Sequence, residues 1–141
     1  MTCIKNKTHI KTDTVCFDCL LDIDADPIFP CLDDVEPELR PLLAQLTLQN
    51  QDIDKCWKSA YDTLTVSGKK LKIENVYYAF FKADVGNSSL KRTCGTIGCV
   101  NPYHHRSRFE RSDITKRVRS GFNNKLKFIK DISNEEWLRL P

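Results

Sequence analysis

Two of the chain's three histidines close the segment CGTIGCVNPYHH, residues 94–105, behind two cysteines and an Asn-Pro pair. Thiolates and imidazoles gathered this closely point to metal ligation. Zinc takes four such ligands in a tetrahedron, at about 2.0–2.3 Å. Cys94 and Cys99 are separated by four residues, and His104 follows after four more. One tight loop therefore supplies three ligands. Asn101-Pro102 fixes a turn between Cys99 and His104, which brings the chain back toward the ion. The fourth ligand is Cys56, which precedes Trp57, or locally His105.

The chain holds seven cysteines. An odd number cannot pair completely within one chain, and reduced thiols in an intracellular protein serve metal ligation or burial before disulfides. A second group lies in the N-terminal arm, where Cys16 and Cys19 form a C-x2-C half-site. Cys31 follows, with Cys3 and His9 nearby. Cys16, Cys19 and Cys31 are the candidates for a second zinc.

The net charge is +3, but it is unevenly spread. Residues 13–38 carry nine acidic side chains and no basic one, whereas residues 106–130 carry nine basic ones against Glu110 and Asp113. Such segregation suits a polyanionic partner for the C-terminal half. The apolar share is 40% and the charged share 29%, as in folded, water-exposed domains. No apolar run is long enough to cross a bilayer, and the first residues lack the apolar stretch of a secretory signal. The expectation is an intracellular protein of cytoplasm or nucleus, with no membrane association.

The order of a Cys-Trp pair, a hairpin, an aromatic helix and then C-x4-CVNPYH over residues 55–120 resembles the zinc-stabilised HNH proteins common in phages. It is also similar to the His-Cys box homing endonucleases; both belong to the ββα-metal, or His-Me finger, group. The resemblance implies an α+β fold with Cys56, Cys94, Cys99 and His104 around a structural zinc. It implies double-stranded DNA as the partner, with homodimers frequent among such proteins.

The same resemblance locates the catalytic positions, and here the chain departs from the pattern. The family's general-base histidine lies two residues before the first cysteine of the loop, where this chain has Arg92. A guanidinium stays protonated and cannot act as a base. The position of the family's divalent-metal ligand holds Asp113, whose carboxylate suits Mg²⁺ or Mn²⁺. His105 is the one local substitute for the base. Where the family often opens the aromatic helix with His-Arg, this chain has Asn75-Val76. Arginine binds phosphate well, so Arg92 converts a cleaving groove into a binding one. Smad-type and nuclear factor I DNA-binding domains resemble this group, lack cleavage and carry a segment similar to CVNPYH. The expected function is DNA binding with weak or absent cleavage, through Arg92, Arg106, Arg108, Arg111, Lys116, Arg117 and Arg119. An active Mg²⁺- or Mn²⁺-dependent endonuclease using Asp113 and His105 is the alternative, and a zinc module for protein interaction is the second.

These side chains need a scaffold. The leucines at 39, 42, 43 and 46 predict a helix over 37–49. Alternation of Leu64 and Val66, then Leu71 and Ile73, about Ser67-Gly68 predicts a β-hairpin. Ile73, Val76, Tyr77, Phe80 and Phe81 predict a helix that buries one aromatic stripe and stops near Gly86. Two short strands are expected within 90–108, then helices over 113–120 and after Ser133. Trp57 and Tyr103 are read as packing residues. The expected organisation is an acidic arm and helix over 1–50, a zinc-stabilised domain over 51–122 and a basic helical extension over 123–141.

Overall fold

The computed structural model describes residues 3–4, 9, 15–22, 37–42, 44, 54–59, 61–66, 68–108 and 131. Within them the chain is a small α+β structure of two separate two-stranded antiparallel sheets around one central helix. A short helix, α1, spans Phe17–Asp22. A 3-10 turn over Pro37–Leu39 leads into helical residues 40–42 and 44, in line with the predicted helix as far as it is described.

Strands β1 (Thr63–Val66) and β2 (Lys69–Lys72) form the predicted hairpin, with Leu64 opposite Leu71 and Val66 opposite Lys69. Its two-residue turn requires a positive φ, and Gly68 adopts +81° there without the steric cost a Cβ would bring. The side chain of Asn87 accepts from the Lys72 amide at 3.1 Å and donates to the Lys70 carbonyl at 2.9 Å. Those bonds occupy backbone groups of β2 that its partner strand leaves unpaired.

Helix α2 (Ile73–Phe81) follows β2 directly, and the Ile73 amide returns to the Asp62 carbonyl at 3.0 Å. The sequence predicts burial of one stripe; in the structure every residue of α2 except Glu74 is buried. The reason is that different parts of the chain cover different faces. Val76, Tyr77, Phe80 and Phe81 pack with Leu39, Leu42, Trp57, Val66 and Leu71, whereas Tyr78 packs with Cys3, Cys16, Cys19, Ala83 and Val85. Trp57 meets Tyr77 and Phe81 edge-on, with centroids 6.1 and 5.7 Å apart, a favoured aromatic geometry. The N-terminal residues 3, 4, 16 and 19 are thus part of the buried interior.

Asn75 is buried. Its Nδ2 donates to the carbonyls of Gly86 at 2.8 Å and Ser88 at 2.7 Å, folding the segment after α2 back along the helix. That segment leads into β3 (Leu90–Arg92), which pairs antiparallel with β4 (His105–Ser107). A 3-10 turn over Pro102–His104 lies between them. Both strands were expected. The ββα-metal arrangement needs a helix after β4, and the segment predicted to form it lies outside the described residues, as does the helix predicted after Ser133. Among the described residues no helix is long and apolar enough to cross a membrane.

Candidate metal centres

The loop between β3 and β4 is fixed to the segment before β1 on both sides of Cys56. The Val100 amide donates to the Trp57 carbonyl at 2.8 Å, and the Asn101 side chain donates to the Lys55 carbonyl at 2.7 Å. Cys56 is therefore bracketed by bonded carbonyls, opposite a Cys99 that precedes both donors. Asn101 also accepts from the Tyr103 amide at 2.9 Å, so it caps the 3-10 turn, and Pro102 opens that turn. The turn delivers His104, and the Thr93 amide and hydroxyl both donate to the His104 carbonyl, at 2.7 and 2.9 Å.

This framework brings the ligand atoms of Cys56, Cys94, Cys99 and His104 within 4.8 Å of one another, so the group could hold a metal ion. The Cys56 and Cys94 sulfurs are 3.8 Å apart, and His104 Nδ1 lies 3.7 Å from Cys56 Sγ and 3.5 Å from Cys99 Sγ. A tetrahedron with Zn–S near 2.3 Å and Zn–N near 2.0–2.1 Å has edges of about 3.8 Å between sulfurs and about 3.6 Å from sulfur to nitrogen. The observed edges match, so the donor set fits in composition and in size. Cys56 is exposed, Cys94 and His104 are half-buried, and Cys99 is buried.

Backbone amides also favour thiolates here. Burial tends to raise Cys94, but hydrogen bonds from the Thr96 backbone and from Cys99 and Cys56 outweigh it and bring the thiol below its ordinary value. Burial pushes Cys99 up to about 11, against backbone hydrogen bonds at Asn101 and Trp57. A cation at the centre of the group would favour the thiolate form of both.

His105 does not enter this group. It is 5% exposed, its Nδ1 donates to the Asn101 carbonyl at 2.9 Å, and its own carbonyl accepts from Lys82 Nζ at 3.1 Å. Burial lowers its pKa. The side chain is buried, and it is Cys56, not His105, whose ligand atom lies with those of Cys94, Cys99 and His104. The Lys82 ammonium is buried at the end of α2 and lies 5.2 Å from the Tyr78 ring centre and 5.6 Å from that of Tyr103. Two aromatic faces and a carbonyl thus compensate its charge.

A second group assembles from Cys3, His9, Cys16 and Cys19, whose ligand atoms also lie within 4.8 Å of one another and which could hold a metal ion too. Burial pushes the Cys16 thiol up to about 11, although it accepts from the Cys19 amide. Sequence spacing favoured Cys31 as a ligand beside Cys16 and Cys19. Cys31 lies outside the described residues, and Cys3 and His9 complete a set of four without it.

Of the basic residues singled out in the sequence, Arg92, Arg106 and Arg108 are exposed at the hairpin. Arg111, Lys116, Arg117, Arg119 and Asp113 lie outside the described residues. The register adds a residue the charge count missed: Lys91, exposed and directly opposite Arg106. No pattern in the sequence of β3 singles it out; the strand pairing does. Arg92 stands opposite His105. In comparisons with protein-family models, with curated proteins and with solved structures, no match to this chain was found.

Proposed function

We propose that this chain is a zinc-stabilised DNA-binding module, in which an ion held by Cys56, Cys94, Cys99 and His104 sets the β3–β4 hairpin as a cationic ridge for the phosphates of a duplex. Three thiolates and one imidazole closing a tetrahedron are the ligands of structural zinc, with no position left open for substrate. The chemistry this ion supplies is cross-linking of the fold. The observation that carries the reading is the hairpin register: Lys91 and Arg106 are cross-strand partners on its outer face. Like charges directly opposite each other disfavour the sheet, and a polyanion laid across them reverses the sign of that interaction.

Binding without efficient cleavage is the form of the activity. Arg92 holds a phosphate better than it could take a proton. His105, the local substitute, is buried and bonded to Asn101 rather than open to a water nucleophile.

A duplex-binding titration over a range of salt tests the reading. Six phosphate contacts give a log–log slope near about −5. Absent or salt-insensitive binding would favour a zinc module for protein interaction. Nicking of supercoiled plasmid with Mg²⁺ or Mn²⁺, lost in Asp113→Ala, would instead favour an endonuclease.

A further inference from the structure

We propose that Cys3, His9, Cys16 and Cys19 form a second, buried zinc site that fastens the N-terminal arm to the far side of α2, independently of the site in the β3–β4 loop. The donors come from two stretches of chain, one carrying Cys3 and His9 and the other Cys16 and Cys19, and specific contacts bring them together. The Cys3 amide donates to the His9 carbonyl at 3.1 Å, which holds these two ligands together. The Cys19 amide donates to Cys16 Sγ at 3.4 Å, so the C-x2-C pair turns its sulfurs inward.

Asp84, in the loop after α2, then joins the two stretches. Its Oδ2 accepts from the Ile4 amide at 3.0 Å, and its backbone carbonyl accepts from the Cys16 amide at 2.8 Å. Its Oδ1 accepts from the Gly86 amide at 3.0 Å, which fixes the carboxylate itself. Asp84 is therefore a positioning residue for the ligands on either side of the cluster.

An apolar role for three buried cysteines accounts for the packing on Tyr78, Ala83 and Val85. It does not account for His9, whose Nδ1 lies 3.3 Å from Cys19 Sγ. The Cys3 and Cys19 sulfurs are 2.9 Å apart and not disulfide-bonded. That edge is shorter than the about 3.8 Å of a zinc tetrahedron, so binding the ion spreads these two sulfurs. The donor set, three thiolates and one imidazole, is the same as in the β3–β4 loop.

The two sites differ in exposure, and this predicts their kinetics. Cys3, Cys16 and Cys19 are buried, whereas Cys56 is exposed. A chelator therefore reaches the loop ion first, and release of the arm ion requires the arm to open.

Native mass spectrometry of the full chain purified in zinc tests the proposal, together with zinc release to a chromophoric chelator. The expected result is two zinc ions per chain, one for each group. Release should occur in two phases of equal amplitude. Cys19→Ser should lose the slow phase and keep the fast one, and Cys56→Ser should do the reverse. If Cys19→Ser fails to fold, the wild-type count still decides. A zinc-saturated wild type carrying a single ion, or one whose mass is two hydrogens lower through a Cys3–Cys19 disulfide, would overturn the second site. Neither count depends on DNA binding, so this site can fail while the proposed function stands, and the reverse.

Discussion

The side-chain amide of Asn101 donates to the backbone carbonyl of Lys55 at 2.7 Å, joining the ligand loop to the segment that carries Cys56. Asn101 is fully buried and also caps the turn leading to His104. Asn101→Ala removes a cap and leaves a carbonyl without its partner, for a loss of about 2 kcal/mol or more. Denaturant unfolding of the zinc-loaded protein should read that loss. It should be accompanied by weaker zinc retention in the fast-exchanging site, because Cys56 is then no longer held opposite Cys99.

Lys91 and Arg106 are cross-strand partners, and the proposed DNA-binding role sets opposite demands on them for folding and for binding. Replacing either by Thr removes cross-strand repulsion and raises the thermal midpoint slightly in the absence of DNA. The same substitution weakens duplex binding across all sequences and reduces the salt slope by about one. A variant that loses stability and leaves the slope unchanged would contradict the role given to this pair.

Asp84→Asn keeps the size of the side chain but cannot accept from both Ile4 and Gly86, since one carboxylate oxygen becomes an NH2 donor. The expected destabilisation is about 1–3 kcal/mol, the cost of a buried group deprived of its partner. Zinc release from the arm site should accelerate while release from the loop site is unchanged. A uniform acceleration of both phases would show that Asp84 acts on the fold as a whole.

Trp57 connects the metal loop to the core, because its carbonyl binds Val100 and its ring meets Tyr77 and Phe81. Trp57→Ala should cost about 3–5 kcal/mol, from lost burial and the cavity left behind. A domain of this size has little stability to spare. Heteronuclear NMR should then show collapsed amide dispersion even with zinc present.

Local pattern made much of this structure legible. Period-two alternation about Ser67-Gly68 places the first hairpin, the spacing of Val76, Tyr77, Phe80 and Phe81 places α2, and the Asn-Pro turn places His104 near Cys99. Three of the loop site's four donors, Cys94, Cys99 and His104, lie on one short segment, so their spacing carries the information. What stayed hidden depends on contacts distant along the chain. Ile4 and Asp84 are 80 residues apart, and no spacing among Cys3, His9 and Cys16 announces that a later loop will gather them. The same holds for Tyr78 and Asn75: both fall off the predicted stripe and are buried because the N-terminal arm and the segment after α2 fold over them. The sequence offers His105 as an alternative ligand or a base because it adjoins His104. Its burial follows from strand alternation, which puts it on the face of β4 opposite to exposed Arg106, and from its bond to Asn101.

Zinc K-edge X-ray absorption on the purified full chain tests most directly whether a metal ion organises this protein. Both groups offer three sulfurs and one imidazole nitrogen, so the averaged shell is interpretable without separating them. The predicted first shell holds three sulfurs at about 2.3 Å and one nitrogen at about 2.0–2.1 Å, and its removal by chelator unfolds the β3–β4 loop. A shell dominated by oxygen, or a metal-free chain whose loop amides stay as protected from exchange as before, would contradict it.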